Sequence, residues 1–110
     1  PPLVYQEYIA VEAREHSDKM ASGKRDPGHG GFKQRAANIR KGRENIQSIG
    51  ENVAYNYNKN DPALAAFEGW LNSPLHKENM EGDYTHTGIG IVKNKKGYYY
   101  FTQMFVRMPE

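Results

Sequence analysis

The chain has 110 residues, enough for one hydrophobic core but not two, so a single domain over 1–110 is expected. Fifteen Lys and Arg against 13 Asp and Glu give a formal charge of +2, too small a surplus for a nucleic-acid face. The absence of cysteine excludes disulfides, thiolate zinc sites and thiol nucleophiles, and no apolar run is long enough to cross a bilayer.

Tyr5, Ile9, Ala13, His16 and Met20 fall at helical spacing, which predicts a first helix from Leu3 to Met20. Ser22-Gly23 ends it, and Asp26-Pro27-Gly28-His29-Gly30-Gly31 cannot be helical because proline and consecutive glycines oppose it. Phe32 to Ile39 reads as a short second helix stopped near Gly42. The basic runs Arg40-Lys41-Gly42-Arg43 and Lys93-Asn94-Lys95-Lys96 sit among turn formers and read as solvated loops. Ile49 to Tyr55 alternates as a strand, with Ile49, Glu51, Val53 and Tyr55 on one face.

Asp61-Pro62 is an N-cap followed by proline at the first helical position, and Ser73-Pro74 repeats the signal. Two helices follow, the first with Leu64, Phe67, Trp70 and Leu71 as its expected core stripe, the second reaching about Met80. Gly88 to Val92 and Tyr98 to Val106 then form a hairpin around a polar turn. Aromatic residues on both faces of the last strand suit a central strand covered by helices on both sides. The whole reads as an α+β sandwich.

Without cysteine, chemistry falls to histidine, carboxylates and hydroxyls. His16 lies on the first helix's core stripe and reads as a hydrogen-bonded core residue, at most positioning its neighbours. His86, between Thr85 and Thr87, is expected to be exposed and to have no role. His29 sits among glycines that clear competing side chains, which suits either an imidazole held out for contact or a plain surface loop. His76, in the first turn of its helix, reads by itself as a plain helix-start residue, and alternatively as a neutral ring able to ligate a metal or take a proton. Glu51 is a half-buried carboxylate that needs backbone amides, a histidine or a cation as partner. Two histidines and one carboxylate suit a divalent-metal site with open positions, although no HExxH, GxSxG, P-loop or EF-hand signature is present.

The segments "HSDKMAS" (16–22), "GHGGF" (28–32), "IGENVAYNY" (49–57), "WLNSPLHKENM" (70–80), "TGIGIV" (87–92) and "YYYFTQMFV" (98–106) together resemble the CAP superfamily of cysteine-rich secretory, antigen 5 and pathogenesis-related 1 proteins, in its short cysteine-free microbial form. The resemblance implies a three-layer α-β-α sandwich with a small antiparallel sheet between helices. It also implies a cleft lined by two histidines and two acids, which in some members holds a divalent cation such as zinc or magnesium. His29 and His76 match the two histidines and Glu51 the acid of the "GEN" motif. The second acid's position is occupied by Ser73, and Glu68 or Glu78 on neighbouring turns are the available substitutes.

The function expected from this resemblance is an extracellular or cell-surface binding domain, secreted or lipid-anchored. Its binding cleft is His29, Glu51, Ser73 and His76, with a weakly held cation on His29, His76 and Glu51. The expected ligand is a lipid, a sterol or a protein partner, with no nucleic acid, a monomeric state, and membrane attachment through a segment outside this chain. Two alternatives stand beside it: a metal-dependent hydrolase with Glu51 as general base, and a purely structural cleft in which Glu51 pins the loop to the sheet.

Overall fold

The computed structural model describes residues 2–109. Its elements are β1 (Val4–Tyr5), α1 (Glu7–Ala21), α2 (Phe32–Arg40), β2 (Ser48–Tyr57), α3 (Pro62–Leu71), α4 (Pro74–Glu81), β3 (His86–Lys93) and β4 (Tyr98–Arg107). The strands form one sheet in the order β1-β3-β4-β2. On one face Ile9 and Ala13 of α1 and Ile39 of α2 pack with Met104 and Val106. On the other, Ala66 and Trp70 of α3 pack with Phe101. The alternation of β4 side chains supplies both cores, which makes the three-layer α-β-α sandwich and places β4 at its centre.

The sheet is mixed rather than wholly antiparallel, because β1 runs parallel to β3, with Val4 opposite His86 and Tyr5 opposite Thr87. The amides of Val4 and Gln6 donate to Thr85 O and Thr87 O, each at 2.9 Å, so the chain stays extended there. The first helix therefore starts at Glu7 and not at Leu3. Helix α3 starts where its cap predicts, with Asp61 Oδ1 accepting from the Leu64 amide at 3.1 Å. Its buried side differs from the expected stripe. Ala66 and Trp70 face the sheet, while Leu64, Phe67 and Leu71 face outward with Leu75 of α4, which is 77% exposed. The indole decides the rotation: Trp70 Nε1 donates to Val53 O at 3.2 Å, and small Ala66 brings the helix close to Phe101. A helix that is apolar on most sides carries no periodicity from which to choose a face.

Helix α1 lies directly on β3. A Cβ at Gly88 would overlap the α1 backbone at Ala10, and one at Gly90 would overlap it at Arg14. These two glycines of the "TGIGIV" segment are thus set by helix–strand contact. Gly88→Ala or Gly90→Ala should lower the unfolding free energy by about 2–3 kcal/mol through overpacking, whereas Ile91→Ala on the exposed side should cost under about 1 kcal/mol. Urea denaturation of the three variants checks the contrast.

Candidate functional site

Between α1 and α2 the chain makes the glycine-rich loop. Gly28 (φ 140°) and Gly31 (φ 80°) occupy backbone conformations that side chains disfavour. The loop is held from beneath by His16, fully buried on α1. His16 Nε2–H donates to Gly28 O at 2.6 Å, and Arg25 Nη1 donates to His16 Nδ1 at 2.9 Å. Those partners require a neutral ring protonated on Nε2. Burial is the chief cause holding the His16 pKa below its ordinary value. The Gly28 carbonyl opposes that shift, and the Arg35 and Arg25 charges reinforce it.

Glu51 faces the same layer, since it lies opposite Met104 on β2. Its partner is a cation supplied by the protein. Arg35 Nε donates to Glu51 Oε2 at 2.7 Å and Arg35 Nη2 to Glu51 Oε1 at 2.8 Å, a bidentate pair with side chains 5% and 1% exposed. His29 Nδ1–H adds a bond to Oε1 at 2.8 Å. Arg35 also donates to Gly30 O (2.6 Å) and His29 O (3.3 Å). One guanidinium therefore binds both the carboxylate of β2 and the backbone of the loop that presents His29. Sequence reasoning missed Arg35, although its four-residue spacing from Ile39 places both on the core side of α2.

His76 and Ser73 come from α4, and Ser73 Oγ shares a hydrogen bond of 2.8 Å with His76 Nδ1. Two asparagines dock this helix on β2: Asn52 Nδ2 donates to His76 O (3.1 Å), and Asn79 Nδ2 donates to Asn52 Oδ1 (2.9 Å) and Glu51 O (3.2 Å). Neither was singled out from the sequence. His29, Ser73 and His76 line one open cleft of about 530 Å³, whose other walls include Val53, Tyr55, Ala65, Gly69 and Trp70. Glu51 lies behind this lining, against Arg35. His86, expected to be exposed, is half-buried and shares a 2.6 Å hydrogen bond with Thr85 Oγ1.

A cation held jointly by His29, His76 and Glu51 does not fit this donor set. Both Glu51 oxygens are engaged by a guanidinium whose charge opposes a second cation, while the hydrogen bonds of His29 and His76 occupy only Nδ1 of each ring, so it is the carboxylate that the set lacks. Among the described residues no three His, Asp or Glu side chains form a group that could hold a metal ion.

Arg35→Met should destabilise the fold by about 3–5 kcal/mol, because it leaves Glu51 buried and unpaired. Adding Glu51→Met should cost clearly less than the sum of the two single changes, which a double-mutant cycle by chemical denaturation measures. The lowered His16 pKa sets a second expectation. An unfolded ring titrates near 6.5, so the neutral ring's contribution is complete above that pH and is lost as the pH falls through the lower folded value. Between pH 7 and 5 the unfolding free energy should fall less steeply in His16→Gln than in the parent.

The family model for the cysteine-rich secretory protein family, CAP, matches residues 1–105. The uncharacterised membrane protein YlbC of Bacillus subtilis (strain 168) is 39% identical over 80 residues, which are 72% of this chain and 20% of that protein. An extracellular protein containing an SCP domain from Bacillus anthracis superposes with a TM-score of 0.75 at 27% identity, over 97% of this chain and 34% of that one. An outer surface protein of Borrelia burgdorferi gives a TM-score of 0.77 at 21% identity, over 99% and 80% of the two chains, a likeness of fold alone. The chain thus spans about a fifth of YlbC and a third of the Bacillus anthracis protein. With six motif segments in order, an α-β-α sandwich around them and a family match over nearly every residue, the chain belongs to the cysteine-rich secretory protein (CAP) family.

Proposed function

We propose that this domain is an extracellular or cell-surface binding module whose cleft accepts a ligand without transforming it. The observation that carries this reading is the state of Glu51. A general base needs a free lone pair facing substrate, whereas this carboxylate is almost wholly buried and held at both oxygens by Arg35, with His29 on one of them. The acid acts as a structural latch, the part it has in the purely structural reading of the cleft, while the cleft beside it remains open to a ligand.

The cleft beside the latch has the form of a binding site. Its walls are small or apolar side chains with a few polar groups, His29, Ser73 and His76 among them. Gly69 helps to keep it open. It sits in the interior of α3, where alanine would be favoured by about 1 kcal/mol, and a Cβ there would meet nothing within 4 Å. A lipid, a sterol or a segment of a protein partner is the ligand class such walls suit. The surface location rests on the extracellular Bacillus anthracis protein, and membrane association of the longer protein rests on YlbC.

The test is thermal unfolding with a panel of palmitate, cholesterol and a blocked peptide, for the parent and for Gly69→Leu, which fills the cleft from a position with room for a side chain. A native-state ligand at 100 times its Kd stabilises by about 2.7 kcal/mol, so at least one panel member should raise the parent's Tm by several degrees. The shift should vanish in Gly69→Leu. No shift with any member, or equal shifts in both proteins, overturns the proposal.

A further inference from the structure

Strand β2 is an edge of the sheet, and hydrogen bonds fix which of its residues look outward. In an antiparallel pair the N–H and C=O of one residue point to the same side, alternating along the strand. Glu51 O accepts from Asn79 and Val53 O from Trp70, both outside the sheet. Odd-numbered residues of β2 therefore turn their backbone groups away from β4. The Thr85 amide donating to Val106 O agrees, since it shows Val106, which stands opposite odd-numbered Ile49, turned away from β2.

Two more odd residues follow, Tyr55 and Tyr57, and among the described residues no group beyond the sheet hydrogen-bonds to their backbones. The outward edge thus has two parts. From Glu51 to Val53, side chains of α3 and α4 cap it. From Tyr55 to Tyr57 it is bare, until the chain turns away at Asn58 (φ 59°). Val53, Tyr55 and Asn56 all line the cleft, with Trp70 at the inner limit of the bare stretch and Lys59 beyond its outer limit. One wall of the cleft is therefore a strand edge with unmet donors and acceptors. Another wall is α3, where Ala65, Ala66 and Gly69 leave room for side chains.

We propose that the cleft binds an extended peptide segment, which adds to the sheet as a short strand beside Tyr55 and Tyr57; this rests on the binding-module reading above and names its ligand class. An unpaired edge is a template for β-addition, in which main-chain hydrogen bonds give affinity and alternate side chains give selectivity. The capped part of β2 limits the added strand to about three residues, roughly 10 Å at 3.3 Å per residue. Its inward side chains meet the small residues of α3, so a partner with compact apolar residues at alternate positions fits. The tyrosines brace the edge: Tyr55 stacks on Tyr100 and Tyr57 on Tyr98, with centroids 5.9 and 4.7 Å apart. A lipid would use the same volume but has no use for the backbone groups.

The probe is a blocked heptapeptide of alternating serine and valine, added up to about 1 mM, the weak end of specific affinity, while amide exchange and shifts are followed by NMR. Binding should slow exchange of the Tyr55 and Tyr57 amides at least tenfold and leave exposed loop amides unchanged. Two variants isolate the backbone. Tyr55→Ala and Tyr55→Pro lose the same ring, but only the proline removes the outward N–H, and an outward position on an edge strand tolerates proline. Tyr55→Ala should bind within about threefold of the parent and Tyr55→Pro at least about tenfold more weakly, the worth of one backbone hydrogen bond. If Tyr55→Pro does not fold, exchange at Tyr55 and Tyr57 in the parent decides. Equal binding by the two variants, or peptide binding without slowed exchange, overturns strand addition. No peptide binding while palmitate or cholesterol raises the Tm overturns it too and leaves the binding module standing. If nothing in the panel binds, both proposals fail.

Discussion

A guanidinium and a carboxylate face each other inside this protein, nearly free of water, and that pair determines how the rest can be arranged. Stripping hydration from two charges costs several kcal/mol for each, which their attraction repays only when the remaining donors and acceptors are satisfied. Arg35 meets the condition by also donating to the carbonyls of His29 and Gly30, and Glu51 by accepting from His29. The pair and the loop are therefore interdependent. Helix α2, the glycine-rich loop and strand β2 share one polar knot, and His29 is placed by it. The knot also limits the chemistry available, because a carboxylate bound at both oxygens is a poor base and a poor metal ligand.

The cleft is made as much by what is missing as by what is present. Gly69 leaves space on one wall, the short side chains of Ala65 and Ala66 line that wall without filling it, and glycines in the loop remove anything that would crowd His29. Its two histidines are oriented from different layers, one by Glu51 and the other by Ser73. Ser73 thus has a definite use as a neutral partner to an imidazole ring. Below the loop, His16 contributes a third ring whose buried, uncharged state keeps the Gly28 carbonyl in place.

Much of the architecture was legible from local chemistry. Asp61-Pro62 and Ser73-Pro74 mark the starts of α3 and α4, although only Asp61 caps with its side chain while the Ser73 hydroxyl turns to His76, and the alternation around Glu51 gives β2 and its buried carboxylate, because such signals act over a few residues. His16 was legible as a core residue for the same reason. What escaped was decided at long range. Arg35 acquires its meaning only when β2 arrives 16 residues later in the chain. The rotation of α3 depends on an acceptor at Val53, and β1 on the arrival of β3 at the other end of the molecule. Glycines at 88 and 90 read locally only as part of a strand, whereas in the fold they are where a helix backbone rests.

The strand order has a consequence for how the chain is made. The central strand, β4, is the last element in the sequence, while both edges of the sheet, β1 and β2, precede it. A polypeptide leaving the ribosome from its N-terminus therefore cannot form any rung of this sheet between elements until β3 appears, and cannot seat β2 until β4 has emerged. Contacts so distant in sequence slow closure. Within this domain the helices are all made before β3 and β4, and the ten-residue strand β4 is the element that joins both layers into a folded unit.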